Sequence, residues 1–199
     1  MKEVWLSTSY LGTVEYYRLL SGADTIHLEA FEHYERQSWR NRFRILSANG
    51  PIDLSIPIVN GSSHQQPIRD VRIDYRQNWQ KNHFRSVESA YRHSPFYEFL
   101  IDEIIFLWDI QPDYLFDYNR LAMEAVLKLM KSDVSIVLTH GYQKPGYYGP
   151  FDYRYSMHPK AKKQGTGFVP VPYHQVFSDR FGFIQELSIL DWLFNDFRI

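Results

Sequence analysis

The sequence predicts an α/β fold: a small sheet with a β-hairpin, a helical insert in the middle third of the chain and a C-terminal helix. Three observations support this fold class. The chain opens with the order strand, loop, helix, strand, which is typical of an α/β unit with parallel strands. An Asn-Gly pair then separates two segments of alternating apolar residues. Finally, residues 78–132 have the apolar spacing of helices.

Length and composition predict one domain, residues 1–199, with a single core, since 44% of the residues are hydrophobic. A net charge of -1 argues against a nucleic-acid partner bound mainly through phosphates. The absence of cysteine excludes disulfides and thiolate chemistry, and it fits a cytoplasmic location. No apolar run approaches the roughly 20 residues of a membrane helix. We therefore expect a soluble, cytoplasmic protein without a membrane span.

The opening unit is predicted from short apolar runs. Residues 4–6 and 25–28 are strand candidates, and residues 13–20 have helical spacing that Ser21-Gly22 ends. A helix N-terminus after the first strand lies where parallel sheets bind ligands. No glycine-rich phosphate motif follows, so a plain turn is the alternative interpretation of the loop.

A β-hairpin is the strongest local prediction. Apolar Phe43 and Ile45 alternate with arginines, Asn49-Gly50 supplies a turn, and alternation resumes at Ile52. If residues 40–45 are extended, three arginines point to one face of the strand, namely Arg40, Arg42 and Arg44.

This arginine face has two interpretations. Guanidinium forks close to Trp39 and Asn41 suit a carboxylate or a phosphate, which they bind in a bidentate manner. The alternative is a solvated face whose charges pair with nearby acidic residues, namely Glu32, Glu35 and Asp53.

The middle third is predicted to be a helical insert, about residues 78–132. Its three helices are expected at residues 78–92, 96–108 and 114–131. Pro95 and Pro112 interrupt the pattern, because the residue before a proline disfavours the helical conformation.

Further strands, a loop and a helix complete the prediction. Residues 71–74 form a short strand candidate, and the apolar, β-branched residues 134–138 are typical of a buried strand. The aromatic-rich residues 140–172 lack periodicity, and segments of this kind are usually functional or disordered. Residues 187–194 read as a terminal helix.

Histidine spacing predicts no metal site and no cofactor. The eight histidines are scattered, without an HxH or HxxxH pair. His83 is the candidate base, because it shares a helical row with Trp79, and a neutral imidazole accepts protons near pH 7. A structural helix residue is the alternative for His83.

Four blocks of the chain resemble the WbqC-like family, which is found among bacterial genes for O-antigen and other surface polysaccharides. These blocks are STSYLGTVEYYRLL at residues 7–20, IHLEAFEHYERQSWRNRFRI at 26–45, LSIPI at 54–58 and LSILDWLFN at 187–195. The matching positions are Tyr10, Ser38, Trp39, Asn41, Arg42, Trp79, His83 and Asp191.

Two positions depart from the family pattern. Ser7-Thr8 stands where the family usually has Gln-Pro, and Glu29-Ala30 stands where it has an acidic pair. If the family site uses those groups, this chain binds a different ligand or has lost activity.

The resemblance implies a transferase of surface polysaccharide biosynthesis that moves a glycyl or other aminoacyl group onto a nucleotide-linked amino sugar. The implied partners are a nucleotide sugar or an aminoacyl donor, and the aromatic surface predicts a homo-oligomer. His83 is the predicted catalytic residue. The predicted substrate-binding residues are Tyr10, Trp39, Asn41, Arg42, Arg44 and Trp79.

Two alternatives to this transferase stay open. One is a non-catalytic binding or assembly protein that uses the aromatic residues 142–151. The other is a nucleotidyltransferase-like enzyme, which rests on fold analogy alone.

Overall fold

The computed structural model describes residues 2–59, 66–159 and 170–197, and it confirms the α/β class. The strands are β1 (Glu3–Ser7), β2 (Thr25–Glu29), β3 (Arg42–Ser47), β4 (Gly50–Ser55) and β5 (Ser135–Leu138). The helices are α1 (Val14–Ser21), α2 (Trp79–Tyr91), α3 (Tyr97–Ile104), α4 (Leu115–Leu129), α5 (Ser178–Phe181) and α6 (Ile189–Asp196). None of these described helices is long and apolar enough to cross a membrane.

The first three predicted elements form a parallel unit. Strand β2 lies in the middle of a parallel sheet of order β1-β2-β5. The register pairs Ser7 with Glu29 and Leu28 with Leu138, so the carboxyl ends of all three strands meet at one edge. Helix α1 starts from this edge because the Thr13 hydroxyl accepts a hydrogen bond from the Tyr16 N–H.

Strand β5 forms where predicted, but the expectation that it is buried is wrong. Val137 and Leu138 are 39% and 42% exposed. The strand pairs with β2 along one side and lies at an edge of the sheet, and Ile136 packs against the core. The continuous apolar sequence of β5 therefore does not mean that both faces of this strand are covered.

The hairpin is confirmed. Strands β3 and β4 pair in antiparallel register, with Ile45 opposite Ile52, and Gly50 has the positive φ of 109° that the turn requires. Phe43 and Ile45 enter the core. The prediction of three arginines on one face is wrong for Arg40, since the strand begins only at Arg42 and Arg40 turns inward.

The helical middle third is confirmed by α2, α3 and α4. Helix α3 ends at Ile104, and a 3-10 turn at Ile105–Trp108 continues it. The predicted strand at residues 71–74 instead makes isolated bridges, from Arg72 to Tyr114 and from Ile73 to Ile58.

The end of the chain closes the core. Helix α6 packs on α1, α3 and β3, and its buried Phe194 contacts the rings of Tyr91 and Tyr97. The predicted irregular segment has a 3-10 turn at Gly149–Phe151, and Asp152 bridges to Trp5. Residues 160–169 of that segment lie outside the described residues.

Candidate functional site

A narrow cleft with a cavity volume of about 20 Å³, room for about one water-sized group, lies at the carboxyl edge of the parallel sheet. Open α/β sheets bind ligands at this edge. We call it the carboxyl-edge cleft; its lining comprises Leu6, Ser7, Thr8, Ser9, Thr13, Tyr16, Trp39, Arg40, Tyr153, Arg154, Met157 and His158.

Arg40 forms a buried ion pair on one side of this cleft. Its Nε and Nη2 donate to the two carboxylate oxygens of Glu32 at 2.8 and 2.5 Å. The Ser7 hydroxyl donates to Glu32 Oε2 at 2.7 Å and accepts from Arg40 Nη2 at 3.0 Å. Burial opposes the charge of Arg40, but Glu32 outweighs it and keeps the pKa of the guanidinium above its ordinary value.

Arg154 forms a second buried pair above β2. Its Nη1 donates to Glu29 Oε2 at 2.6 Å, and its Nη2 donates to Asp152 Oδ2 at 2.7 Å. The three side chains are at most 2% exposed. Glu29 Oε1 also accepts from the Thr139 hydroxyl at 2.9 Å, which links the carboxyl ends of β2 and β5.

These buried charges do not sum to zero. Two guanidiniums, Arg40 and Arg154, face three carboxylates, Glu29, Glu32 and Asp152. The partly exposed Glu35, whose Oε2 lies 3.8 Å from Arg40 Nη1, adds a further negative charge. These carboxylates lie behind the lining and pair with Arg40 and Arg154, and Glu35 Oε1 also lies 3.4 Å from His158 Nε2. The titratable side chains that line the cleft itself are Arg40, Arg154, Tyr16, Tyr153 and His158.

Trp39 connects the cleft with the arginines of the hairpin. Its ring lies beneath the guanidiniums of Arg42 and Arg44, at 5.3 and 5.4 Å from their central carbons. Both arginines pair with Asp53, at 3.4 Å from Arg42 Nη1 and 2.6 Å from Arg44 Nε. Their side chains stay 19% and 27% exposed.

The structure divides the predicted site residues between two places. Trp39, Arg42 and Arg44 lie together beside the cleft. Asn41 lies next to them in the chain, and its amide donates to the carbonyl of Ile56 at 3.1 Å.

The other three predicted residues, Tyr10, Trp79 and His83, form a buried aromatic cluster with Phe43 and Tyr118. His83 is 4% exposed, and its Nδ1 lies 3.1 Å from the Tyr10 hydroxyl. Burial lowers the pKa of His83 to about 4, so its ring is neutral at pH 7.

The alternative interpretation of the arginine face, in which its charges pair with Glu32, Glu35 and Asp53, describes the contacts observed. Sequence reasoning missed Asp152 and Arg154 behind and beside the cleft. The serines and threonines after β1, together with Glu29 at the end of β2, were an available signal for the cleft, because parallel strands bring their carboxyl ends to one edge. Arg154 carried no local signal, since its partner Glu29 lies 125 positions away. Among the described residues, no group of three or more histidines and carboxylates could hold a metal ion.

Comparison with protein families identifies the family of this chain. A sequence model described as the WbqC-like protein family matches residues 8–148, which is more than half of the chain. The uncharacterized protein Rv1507c of Mycobacterium tuberculosis is 32% identical over 93 residues, or 46% of this chain and 39% of the relative. The match thus spans about two fifths of that relative's length. No solved structure matches at a significant level. The chain belongs to the WbqC-like protein family.

Proposed function

We propose that this protein is a transferase of bacterial surface polysaccharide biosynthesis that moves a glycyl or other aminoacyl group from an activated donor onto the neutral amine of a nucleotide-linked amino sugar. An amide bond forms, the bond between the acyl group and its carrier breaks, and the carrier and the amine proton are released. The observation that carries the proposal is the position of Trp39, which lines the carboxyl-edge cleft and also contacts the guanidiniums of Arg42 and Arg44.

The two sides of Trp39 suit the two ends of such a substrate. The hydroxyls of Ser7, Thr8 and Ser9 line the cleft and can hydrogen-bond the amine of an amino sugar, which attacks the acyl group in its neutral form. The Trp39 indole is 7% exposed, and this exposed part is the apolar surface that the sugar ring contacts. Arg42 and Arg44 are partly exposed and can donate to phosphate oxygens, with Asp53 as the group that the phosphates displace.

His83 takes a positioning role in this proposal. Its neutral ring holds the Tyr10 hydroxyl in the core, and the Tyr10 N–H donates to the Trp39 carbonyl at 2.8 Å. Loss of His83 should therefore act through the orientation of Trp39. Direct proton transfer by His83 requires an opening of the aromatic cluster, since the ring is 4% exposed.

Thermal-shift measurements test the proposal. The purified protein is screened with a UDP-linked amino sugar, its N-acetylated form, UDP, the free amino sugar and aminoacyl donors. A ligand that binds only the folded state adds about 2.7 kcal/mol at a hundred times its dissociation constant. We expect the UDP-linked amino sugar to stabilise most, and its N-acetylated form, which has no free amine, to stabilise less.

Two variants test whether the stabilisation by the ligand comes from the arginine side of Trp39 or from its cleft side. Arg42→Ala should weaken binding of the nucleotide-linked sugar by a few kcal/mol and leave the free amino sugar unaffected. Trp39→Ala should weaken both, whereas Arg120→Ala on the exposed face of α4 is the control. Unchanged affinity in a folded Arg42→Ala protein would contradict the phosphate assignment, and no binding by the wild type would contradict the function.

A second candidate is a binding or assembly protein that uses the aromatic residues 142–151. Tyr142, Tyr147 and Phe151 are 46%, 66% and 43% exposed, which is unusual for three large aromatic side chains so close together. The variant Tyr147→Ser with Phe151→Ser should then abolish self-association in sedimentation experiments. If the sedimentation profile does not change, this surface is not the interface.

A further inference from the structure

The carboxyl-edge cleft has two walls of different origin. One wall comes from the end of β1, the loop after it, Trp39 and Arg40. These residues belong to the region that matches the family model, apart from Leu6 and Ser7, which precede it. The other wall comes from residues 153–158, which lie beyond the match at 8–148. We call these residues the outer wall; Tyr153, Met157 and His158 line the cleft from it.

The outer wall contains no helix or strand, so side-chain and loop contacts must hold it. The Tyr153 N–H donates to the Trp5 carbonyl at 2.9 Å, and the Ser7 hydroxyl lies 3.0 Å from the Arg154 carbonyl. The largest set of contacts belongs to the Arg154 side chain, which is fully buried.

Arg154 joins three parts of the chain. It binds Glu29 at the end of β2 and Asp152 beside it, and its Nη1 and Nη2 donate to the carbonyls of Gln143 and Lys144 at 3.1 and 3.2 Å. Its guanidinium also lies 4.9 Å from the centre of the Tyr148 ring. One side chain thus connects residues 143–154 to the sheet.

The charges make this connection specific for arginine. Without the guanidinium, Glu29 and Asp152 are two buried carboxylates with no cation between them, an arrangement that strongly disfavours the closed segment. Lysine supplies the charge but not the planar fork that reaches both carboxylates and two carbonyls.

We propose that Arg154 is the positioning residue of the outer wall, and that Met157 and His158 determine which amino sugar the cleft accepts. The second part rests on the proposed function, whereas the first does not. In this arrangement the family-matched region supplies the shared wall, and the outer wall supplies the selectivity of this chain.

Hydrogen–deuterium exchange of the full chain tests the positioning role without any ligand. In Arg154→Gln, the amides of residues 143–158 should exchange roughly tenfold faster or more, while those of α2 and α4 keep their rates. Arg120→Gln, which removes an exposed arginine paired with Glu124, is the matched control and should change neither set. Unchanged exchange in residues 143–158, or faster exchange throughout the chain, would overturn the positioning role.

The selectivity part is tested at two lining positions of the outer wall, Met157, which also packs against the core, and His158, whose Nε2 lies 3.4 Å from Glu35 Oε1. The UDP-linked forms of glucosamine, galactosamine and N-acetylglucosamine serve as probes in calorimetric titrations of the wild type, Met157→Ala and His158→Ala. We expect the affinity ratio between the glucosamine and galactosamine forms to change by roughly tenfold in at least one variant. Equal ratios in all three proteins would refute the selectivity role. Failure of the wild type to bind any probe would refute the proposed function, while the exchange result still decides the role of Arg154.

Discussion

At the scale of single residues, two buried titratable groups act in opposite directions. Asp191 is fully buried near the hydroxyls of Tyr91 and Tyr173, and burial raises its pKa to about 6. Between pH 4 and 6 the folded state thus binds more protons than the unfolded chain, and stability falls as the pH rises through this window. Above pH 6, where Asp191 is ionised, its burial lowers the free energy of unfolding by about 3 kcal/mol.

We therefore expect Asp191→Asn to raise the free energy of unfolding at pH 8 by about 1–2 kcal/mol, since the amide is neutral but offers one acceptor fewer to the tyrosines. Urea unfolding at pH 4.5 and 8 measures the change. The gain should vanish at pH 4.5, and an equal gain at both pH values would mean that charge is not its cause.

His83 shows the opposite dependence. Its pKa of about 4 in the folded state lies below that of a free imidazole, so its contribution is present above pH 6.5 and is lost as the pH falls towards 4. We expect His83→Gln, which retains a partner for Tyr10, to remove about 3 kcal/mol of acid-induced destabilisation between pH 7.5 and 4.5. Urea midpoints at the two pH values provide the test, with Tyr10→Phe as the control that keeps the histidine. A wild-type-like pH slope in His83→Gln would contradict the assignment.

At the scale of elements, the start of α1 links the sheet, the cleft and the C-terminus. Thr13 caps the helix through its hydroxyl, and the Val14 N–H donates to the Leu187 carbonyl at 3.1 Å. Ser188, which caps α6, donates its hydroxyl to the Leu11 carbonyl at 2.7 Å. The two caps thus hold the start of α1 and the start of α6 together beside the cleft.

Removal of the α1 cap should cost about 1 kcal/mol, as for other N-caps. Thr13→Ala is the variant, and Thr13→Ser, which keeps the hydroxyl, is the control. Denaturant midpoints should fall for the alanine variant and stay near wild type for serine. Equal losses in both would assign the effect to the methyl group of Thr13 and not to the cap.

At the scale of the whole molecule, α6 makes the core continuous across the two sheets. Phe194 is fully buried against the rings of Tyr91 and Tyr97, and α6 also packs on α1 and β3. We expect Phe194→Ala to destabilise the protein by about 3–5 kcal/mol. Phe99→Ala removes the same side chain where it is 77% exposed and should have little effect. Similar unfolding curves for the two variants would show that α6 does not close the core.

Local signals predicted most of the fold. The Asn49-Gly50 turn and the spacing of α2 and α4 depend on neighbours in the chain, so the sequence sufficed for them. Arg40 could not be placed by alternation, because the buried carboxylate of Glu32 draws it out of the strand pattern.

The candidate site was predicted only in part for the same reason. Trp39, Arg42 and Arg44 could be found in one short stretch, whereas Arg154 joins the site through a contact that spans 125 positions. The sequence also could not predict that β5 lies exposed at an edge of the sheet, since this depends on which strands pair and not on the composition of the strand.

The long separations across the cleft have a consequence for how the chain folds. Ser7 and Glu32 are 25 positions apart, Thr139 and Glu29 are 110 apart, and Arg154 and Glu29 are 125 apart. Contacts that close long loops form slowly, whereas the hairpin closes a short one. During synthesis, more than half of the chain is made after Glu29 before Arg154, its buried partner, leaves the ribosome. We expect the cleft to be completed late, so that the ability to bind a ligand appears together with the final step of folding.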